Sequence, residues 1–519
     1  MDQGQEETIA FLERAESYGP GVTSVERIDT HASVLFLAGT RAFKLKRAVR
    51  FSYLDYSTPE LRRAACDREL ALNRRTAPQL YLRVVPVTRS AGGVAIGGAG
   101  ESTDWLVEMA RFDQADLFDR MAEEGRLTDR LMRDLADHIA AFHDRAEIDR
   151  SAGGAAALAN VILGNDANLR AQAGAFDPAG LDALRSGANT ALERVSGAVD
   201  RRRAEGHVRL CHGDLHLRNI CLLDGRPTLF DCVEFSEEIA RIDVLYDLAF
   251  LIMDLHHRPL RRHANQVFNR YLDLREEADG LSALPLFLSL RAAIRAHTGA
   301  AAAARQPEAA RADRMRAENA AYLAGAIEYL KPAAPSLTAI GGLSGTGKTS
   351  LSYALAPELG NAPGARVLRS DVLRKRLMGV APETRLGPEA YTPQMSERAY
   401  ATLCAQAAAT LAAGHAAIVD AAFLHEEERS AVAAVGAAAG VPFVGLWMEA
   451  PMPILESRIR ARRDDASDAT ADILRRQPGL QKGRIDWLRL NASPDDPDLV
   501  ANVARATVLD AISERGDRP

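Results

Sequence analysis

Residues 342–349 read Gly-Leu-Ser-Gly-Thr-Gly-Lys-Thr and decide the fold of the C-terminal part of the chain. The octapeptide fits the pattern G-x-x-x-x-G-K-[ST], whose glycines let backbone N–H groups point at phosphates. A strand-like run precedes it and a helical stretch follows, which is the context that this loop requires. The residues predicted to contact a nucleotide are Gly342, Ser344, Gly345, Thr346, Gly347, Lys348, Thr349 and Ser350. Thr349 is also expected to bind Mg²⁺, and Lys348 to serve catalysis.

Around this loop, strand-like and helix-like segments alternate. The strand-like runs lie at 336–340, 365–368, 416–419 and 441–448, and the helix-like runs at 347–359, 394–413 and 426–439. Such an alternation predicts a parallel, doubly wound α/β sheet.

Four charged positions near this sheet are further candidates. Asp371 follows the second strand, where a carboxylate suits activation of an acceptor. Asp420 ends the third strand and is either a Mg²⁺ ligand through water or a simple strand-end carboxylate. Arg458 and Arg462 fall on one helical region near acidic residues and form either a lid over the transferred phosphate or a solvated basic face.

A second signature lies about 130 residues upstream, where 212–219 read His-Gly-Asp-Leu-His-Leu-Arg-Asn. Protein-kinase-like catalytic loops place an Asp and an Asn five residues apart. Asp214 is therefore the predicted base for a substrate hydroxyl, and Asn219 a predicted Mg²⁺ ligand. Asp231 follows a strand-like run. A hairpin between Asn219 and Asp231 would bring the two residues together, so that the Asp231 carboxylate is the predicted second Mg²⁺ ligand.

His212–Asn219, followed by Leu229-Phe230-Asp231, resembles the aminoglycoside phosphotransferase and choline kinase group within the protein-kinase-like fold. The resemblance implies a bilobal α+β domain in which Lys44 pairs the ATP phosphates and Glu69 is its helix partner. It places the adenine hinge at the backbone near Glu108, Met109 and Ala110.

Two features of this half leave details open. Lys46 competes with Lys44 for the phosphate role, because alternate strand residues share a face. Residues 32–51 are predicted to form a strand hairpin, with Ser33–Ala38 and Arg41–Arg47 on either side of a turn at Gly39-Thr40. The chain has no G-x-G-x-x-G loop before this hairpin, and Asp231-Cys232-Val233-Glu234 replaces Asp-Phe-Gly. Protein-kinase-type regulation is therefore not implied.

Residues 336–480 resemble AAA-type P-loop kinases related to polynucleotide kinase, gluconate kinase and zeta-toxin-like enzymes. Their more specific feature here is the Ser-Asp-x-x-Arg element, Ser370, Asp371 and Arg374, which implies a catalytic role for Arg374. The order of the two halves resembles bacterial fusions of an aminoglycoside phosphotransferase-like domain with an ATP-binding domain. The predicted boundaries are a helical segment at 1–24, a sheet-rich lobe at 25–112, a helical lobe at 113–331, a linker at 332–335 and a P-loop kinase domain at 336–519.

Composition narrows the class of partner. The 519 residues carry a formal charge of −6, which argues against long nucleic acids and membrane surfaces as partners. The five cysteines form no C-x-x-C pair, and the longest uncharged run is broken by Gly440 and Pro442. A cytoplasmic protein with reduced thiols is expected.

The sequence as a whole predicts a bifunctional, Mg²⁺-dependent kinase that moves the γ-phosphate of ATP to hydroxyls of small molecules. One alternative is a nucleotide-sensing regulatory protein with a single active module. Another is a C-terminal module that phosphorylates a nucleotide, a nucleic-acid end or a sugar-nucleotide. Neither the acceptors nor the oligomeric state follow from the sequence.

Overall fold

The computed structural model describes residues 3–51, 54–172, 174–461, 467–494 and 496–516. The strands are β1 Val25–Asp29, β2 Ser33–Ala38, β3 Arg41–Lys46, β4 Arg50–Phe51, β5 Leu54–Asp55, β6 Tyr81–Ser90, β7 Gly93–Ile96, β8 Glu101–Ala110, β9 Val208–Leu210, β10 Ile220–Leu223, β11 Arg226–Leu229, β12 Arg241–Asp243, β13 Leu337–Gly342, β14 Arg366–Arg369, β15 Ala417–Asp420, β16 Phe443–Glu449 and β17 Leu488–Asn491.

The helices are α1 Gln3–Leu12, α2 Pro59–Asn73, α3 Phe118–Glu123, α4 Asp129–Arg145, α5 Gly154–Ala171, α6 Pro178–Glu205, α7 Glu237–Ala240, α8 Val244–His257, α9 Arg261–Leu274, α10 Leu284–Ala303, α11 Ala309–Tyr329, α12 Lys348–Leu355, α13 Ser370–Leu377, α14 Pro393–Ala412, α15 Glu426–Ala439, α16 Met452–Ala461, α17 Ala471–Leu480 and α18 Pro497–Gly516. In the described part of the chain, no helix is both long enough and apolar enough to cross a membrane.

The chain packs as two units. Unit 1 comprises Met1–Gly154 and Arg202–Leu251, and unit 2 comprises Ala155–Arg201 and Ile252–Pro519. Part of the predicted helical lobe thus packs in the same unit as the P-loop sheet. The predicted domain boundaries along the sequence stay a prediction.

Unit 1 is built on a six-stranded sheet in the order β1-β2-β3-β8-β6-β7. Residues of alternating parity face opposite sides, because successive side chains of a strand alternate. Phe36 and Leu45 pack with Ile9 and Leu12 of α1 on one side. On the other side Ala42 packs with Cys66 of α2, so Lys44 and Lys46 face α2 as the alternation of β3 predicts.

A short hairpin of β10 and β11 follows the predicted catalytic loop. Ile220 pairs with Leu229, so the chain enters and leaves the hairpin at one end. The N–H of Phe230 donates to the carbonyl of Asn219 at 3.0 Å. The predicted hairpin is therefore confirmed, and it brings the chain at Asp231 back beside Asn219.

Unit 2 contains a five-stranded sheet in the order β14-β15-β13-β16-β17, and all its pairings are parallel. Helices cover both faces. Leu351 of α12 and Val508 of α18 belong to one apolar cluster, and Leu403 of α14 and Val432 of α15 belong to the other. The predicted doubly wound parallel sheet is confirmed.

Two indole rings pack directly behind the strand that leads into the P-loop. A Cβ added at Gly341 would lie 2.9 Å from the ring of Trp447 and 3.0 Å from that of Trp487. Gly445, on the neighbouring strand β16, faces Trp487 just as closely. Glycine at these two positions lets the aromatic rings approach the backbone of the sheet.

Candidate functional site

The predicted catalytic loop of unit 1 is held by one buried carboxylate. Asp247, on α8, is fully buried. Its Oδ2 accepts from the backbone N–H of His212 at 3.1 Å, and its Oδ1 accepts from that of Gly213 at 2.9 Å. Two N–H donors thereby fix the main chain just before Asp214.

Asp214 and Asn219 lie in direct contact at the surface of this loop. Asn219 Nδ2 donates to Asp214 Oδ2 at 2.9 Å and to the Asp214 carbonyl at 2.9 Å. His216 Nε2 lies 3.3 Å from Asp214 Oδ2. The Asp214 side chain remains 40% exposed, so a substrate hydroxyl has access to it. This is the geometry that a general base needs.

Asp231 adopts a backbone conformation that is unusual for a residue with a Cβ. Its φ is +61°, in the left-handed region. Tyr81 Oη accepts from its N–H at 3.2 Å, and Asn73 Oδ1 accepts from the N–H of Cys232 at 2.8 Å. Surrounding side chains thus hold a strained position, as is common at functional sites.

Lys44 joins Asp231 to the helix α2. Its Nζ lies 2.6 Å from Asp231 Oδ1 and 2.8 Å from Glu69 Oε1. Burial opposes the charge of Lys44, but Asp231 and Glu69 outweigh this effect and raise its pKa well above the ordinary value. Lys44 therefore stays an ammonium at the edge of the cluster.

Lys46 is placed deeper than Lys44. Its side chain is 1% exposed, and its Nζ pairs with Glu69 and with Glu234. Tyr56 Oη donates to Glu234 Oε1 at 2.8 Å. Burial works against the charge of Lys46, but the two carboxylates raise its pKa overall. Both lysines thus reach Glu69, and Lys44 alone of the two also pairs with Asp231.

The predicted adenine hinge lies inside the sheet. Glu108 and Met109 belong to β8 and pair with Phe43 and Ala42 of β3. The Glu108 carboxylate is 2.7 Å from Arg83 Nε. The strand ends only at Ala110, so the first main chain beyond the sheet begins after the residues that the resemblance indicated.

The glycines of the P-loop in unit 2 occupy positions that other residues resist. Gly342, Gly345 and Gly347 have φ values of +136°, +87° and +89°. A Cβ on Gly342 would lie 2.5 Å from the carbonyl oxygen of Met448, and one on Gly345 would lie 2.8 Å from that of Leu455. The loop therefore depends on glycine both for its turns and for its packing.

The polar end of the P-loop gathers an ammonium, a hydroxyl and a carboxylate. Lys348 Nζ donates to the carbonyls of Gly342 and Leu343 at 3.0 and 3.1 Å. Thr349 Oγ1 donates to Asp420 Oδ2 at 2.6 Å. Burial raises the pKa of Asp420, so a nearby cation would stabilise its charged form. Thr349 and Asp420 offer the oxygen donors that Mg²⁺ prefers.

Three other predicted P-loop contacts lie in different surroundings. Ser344 is engaged by Gln477 of α17: its N–H donates to Gln477 Oε1 at 2.8 Å, and Gln477 Nε2 donates to its Oγ at 2.9 Å. Ser350 is exposed in the first turn of α12. Thr346 Oγ1 donates to the Leu343 carbonyl at 2.9 Å and closes the loop internally.

The Ser-Asp-x-x-Arg element begins α13. Asp371 is partly exposed in the first turn, next to the end of β14. Arg374 is 7% exposed, and its Nη1 donates to the Ala390 carbonyl at 2.7 Å while its guanidinium lies over the Tyr391 ring. Arg374 thus holds the segment around Tyr391 in the structure.

The predicted arginine lid is only partly described. Arg458 donates to the carbonyls of Ala492 and Pro494 at 2.7 and 3.1 Å, so its guanidinium fastens the chain after β17. Arg462 lies outside the described residues. The role of these arginines at a phosphate stays a prediction.

Sequence reasoning missed several residues that shape the two clusters. Asn73, Tyr81 and Glu234 surround Asp231 and Lys46 in unit 1, and Gln477 contacts the P-loop in unit 2. No local pattern marks them, because each acts through a partner more than 100 residues away in sequence. We call Asp214, Asn219, Asp231 and Lys44 the first centre. The P-loop with Asp371 and Asp420 is the second centre.

Comparison with family models gives two matches. The model of the phosphotransferase enzyme family matches residues 32–281. An AAA-domain model matches residues 337–480. The two matches contain the first and the second centre respectively, so the two resemblances predicted from the sequence are confirmed.

Curated relatives extend over most of the chain. An uncharacterized protein of Mycobacterium tuberculosis strain H37Rv is 30% identical over 470 residues, which cover 88% of this chain and 90% of that protein. An uncharacterized protein of Mycobacterium bovis matches to the same extent. The similarity spans both halves in one alignment, so the two halves occur together in these relatives.

Solved structures are similar to parts of the chain. Plasmodium vivax ethanolamine kinase is 12% identical, with a TM-score of 0.40, and the match covers 63% of this chain and 94% of that chain. A gluconokinase from Sinorhizobium meliloti 1021 is 17% identical, with a TM-score of 0.27, and covers 35% of this chain and 95% of that chain.

Proposed function

Because the chain belongs to a family of bacterial two-domain proteins that join a phosphotransferase-family domain to an AAA-type P-loop kinase domain, we propose that it is a double kinase. Each centre would transfer the γ-phosphate of ATP to a hydroxyl of a small molecule. The observation that carries this proposal is that each unit gathers a lysine and a carboxylate at one loop: Lys44 pairs with Asp231 in unit 1, and in unit 2 Lys348 bonds to the P-loop carbonyls next to Thr349, whose hydroxyl donates to Asp420. The chain would act as two phosphotransferases in one polypeptide.

In the first centre, Asp214 would accept the proton of the acceptor hydroxyl. The hydroxyl oxygen forms the new bond to the γ-phosphorus, the bond to the β–γ bridging oxygen breaks, and ADP leaves. Lys44 would bind the ATP phosphates, and its bond to Asp231, which Lys46 lacks, supports this assignment over Lys46. Asn219 would orient Asp214 through two hydrogen bonds, one to its carboxylate and one to its main-chain carbonyl.

In the second centre, the backbone N–H groups of the P-loop and the start of α12 would bind the phosphates. Lys348 would exchange its bonds to the loop carbonyls for the β- and γ-phosphates. Asp371, at the carboxyl end of the sheet, would accept the acceptor proton. The Arg374 guanidinium is buried, donates to the Ala390 carbonyl and lies over the Tyr391 ring. Its role in the reaction would be to hold the segment at Tyr391 near the acceptor.

The donor atoms fit Mg²⁺ in both centres. Asn219 and Asp231 would hold it in the first, and Thr349 and Asp420 in the second, all through oxygen. When bound, the ion would neutralise charge on the phosphates. Burial raises the pKa of Asp420, so a bound cation would favour its carboxylate form.

The proposal is tested by inactivating each centre in turn and screening a metabolite library for ATP-dependent phosphorylation by mass spectrometry. Asp214→Asn keeps the shape of the side chain and removes the base, so we expect loss of the first set of products with nucleotide binding retained. Lys348→Ala should remove the second set. The double variant is the control and should form no product.

Calorimetry with a non-hydrolysable ATP analogue separates the proposal from a nucleotide sensor. We expect two binding sites in the wild type and one in Lys348→Ala. A single site in the wild type, or full acceptor-dependent turnover in the double variant, would contradict the proposal. Two sites with no turnover on any acceptor would instead favour a regulatory protein.

A further inference from the structure

The outer edge of the P-loop sheet is covered by side chains of a helix that lies within the phosphotransferase-family match. β14 is an edge strand, and edge strands carry unpaired N–H and C=O groups that proteins must protect. Asn269 Oδ1 accepts from the N–H of Val367 at 2.7 Å, and Asn269 Nδ2 donates to the carbonyl of Ala365 at 3.1 Å. The side chain of Asn269 thus pairs with an N–H group and a C=O group at this edge, as the main chain of a neighbouring strand would.

A second asparagine of the same helix extends this pairing. Asn265 Nδ2 donates to the carbonyls of Ala365 and Pro363, both at 3.1 Å. Asn265 and Asn269 are 1% and 0% exposed, so their amides have no access to bulk water. Buried amides are costly unless they are paired, and these pair with the main chain that enters β14.

A buried ion pair also connects strand β14 to helix α9. Arg366, in β14, lies 2.7 Å from Asp273 of α9, with side-chain exposures of 7% and 5%. Arg366 Nη1 also donates to the carbonyl and the Oδ1 of Asn269, at 3.1 and 3.2 Å. Because the pair is buried, removing either partner leaves an uncompensated charge.

Helix α13, which follows β14, is also hydrogen-bonded to α9. Arg376, in α13, donates through Nη2 to the carbonyls of Leu272 and Asp273 at 2.9 and 3.0 Å. Ser370 and Asp371 lie between this anchor and the anchors at 365–367. The chain on both sides of Asp371 is therefore fixed to the last turns of α9.

We infer that Asn265, Asn269 and Asp273 are positioning residues of the second centre: α9 holds β14 and the start of α13 so that Asp371 faces the P-loop. This inference rests on the proposed function of that centre. The P-loop itself follows β13 and makes none of these contacts among the described residues. Loss of the α9 contacts should therefore reduce turnover while nucleotide binding persists.

The test uses the full chain with Asp214→Asn, so that ATP hydrolysis reports the second centre with water as the acceptor. Asn269→Ala should lower kcat by about tenfold or more and leave the KM for ATP and the affinity for a non-hydrolysable analogue within about twofold. Deuterium uptake in peptides from 365–377 should rise. Asn165→Ala is the matched control: its Nδ2 donates to the Leu290 carbonyl elsewhere in unit 2, and neither quantity should change.

Unchanged kcat in Asn269→Ala, or an equal loss of kcat in Asn165→Ala, would overturn the inference. If Asn269→Ala does not fold, Arg376→Leu removes the second anchor alone and should give the same separation of kcat from KM. Absence of any hydrolysis that depends on Lys348 would contradict the proposed function instead. Deuterium uptake at 365–377 would still decide whether α9 anchors the strand.

Discussion

Two neighbouring lysines, Lys44 and Lys46, differ in how deeply they are buried and in which carboxylates they contact. Lys44 is 12% exposed and contacts Asp231, whose side chain is 41% exposed. Lys46 is buried and pairs with Glu69 and Glu234. A charge at the rim of a cluster can exchange partners with a ligand, whereas one in the interior can do so only at a large desolvation cost. Lys44 is thus suited to binding a ligand, and Lys46 is suited to stabilising the fold.

We predict that Lys46→Met lowers the free energy of unfolding by about 3–5 kcal/mol, because Glu234 would stay buried without its cation and Glu69 would keep only Lys44. Lys44→Met should cost about 1 kcal/mol, since Glu69 keeps Lys46 and Asp231 reaches solvent. Urea unfolding measures both values. Calorimetry should show loss of the first nucleotide site in Lys44→Met. The reverse order of stabilities would contradict this division.

At the scale of elements, the P-loop shows how a short turn depends on its neighbours. The conformations of Gly342 and Gly345 are rare for other residues, and carbonyls of Met448 and Leu455 fill the space where their side chains would lie. The loop is consequently fixed by β16 and α16 as well as by its own sequence. A substitution at Gly342 or Gly345 therefore changes the conformation of the P-loop first and its charge only second.

Gly342→Ala should therefore abolish nucleotide binding at the second site and cost about 1–3 kcal/mol of stability, because its Cβ meets the Met448 carbonyl at a φ of +136°. Gly414→Ala is the matched control. It also has a positive φ, +81°, but no atom lies within 4 Å of an added Cβ. It should lose some stability and keep both nucleotide sites. Equal loss of binding in both variants would contradict the steric argument.

Elements with a local signal were predictable from the sequence. The residues of β2, α15 and the parallel sheet follow from hydrophobic periodicity and from glycine turns, and the structure confirms them. Contacts without a local signal were not. The sequence predicts a catalytic role for Arg374 and either a phosphate lid or a solvated basic face for Arg458, but it gives no sign that their guanidinium groups bind main-chain carbonyls. The asparagines of α9 carry no pattern, because their partners are nearly 100 residues away.

At the scale of the whole molecule, unit 2 contains one buried histidine, His415, and two half-buried ones, His256 and His297, whose pKa values are all lowered. Burial lowers the pKa of His256, His297 and His415 to about 4. His415 Nε2 lies 2.9 Å from the Leu281 carbonyl, and His297 Nε2 lies 3.2 Å from Asn165 Oδ1. Unfolding exposes these rings and returns each pKa to about 6.5.

Between pH 6.5 and 4 these histidines bind protons in the unfolded chain but not in the folded unit, so their contribution to stability is complete above pH 6.5 and falls on acidification. Each histidine contributes at most about 3 kcal/mol to this loss. We predict that scanning calorimetry finds a lower Tm at pH 5 than at pH 7, and that His415→Gln reduces the difference. An identical pH dependence in this variant would exclude His415 as a contributor.

The indole rings behind the P-loop strand have a practical consequence. The chain has three tryptophans, and two of them, Trp447 and Trp487, pack against Gly341 and Gly445. The third, Trp105, lies in β8 of unit 1, under the guanidinium of Arg63. Under excitation selective for tryptophan over the eleven tyrosines, a protein with Trp105→Phe would emit only from the neighbourhood of the second centre. Its intrinsic emission would then give a label-free optical signal for events at one centre without interference from the other.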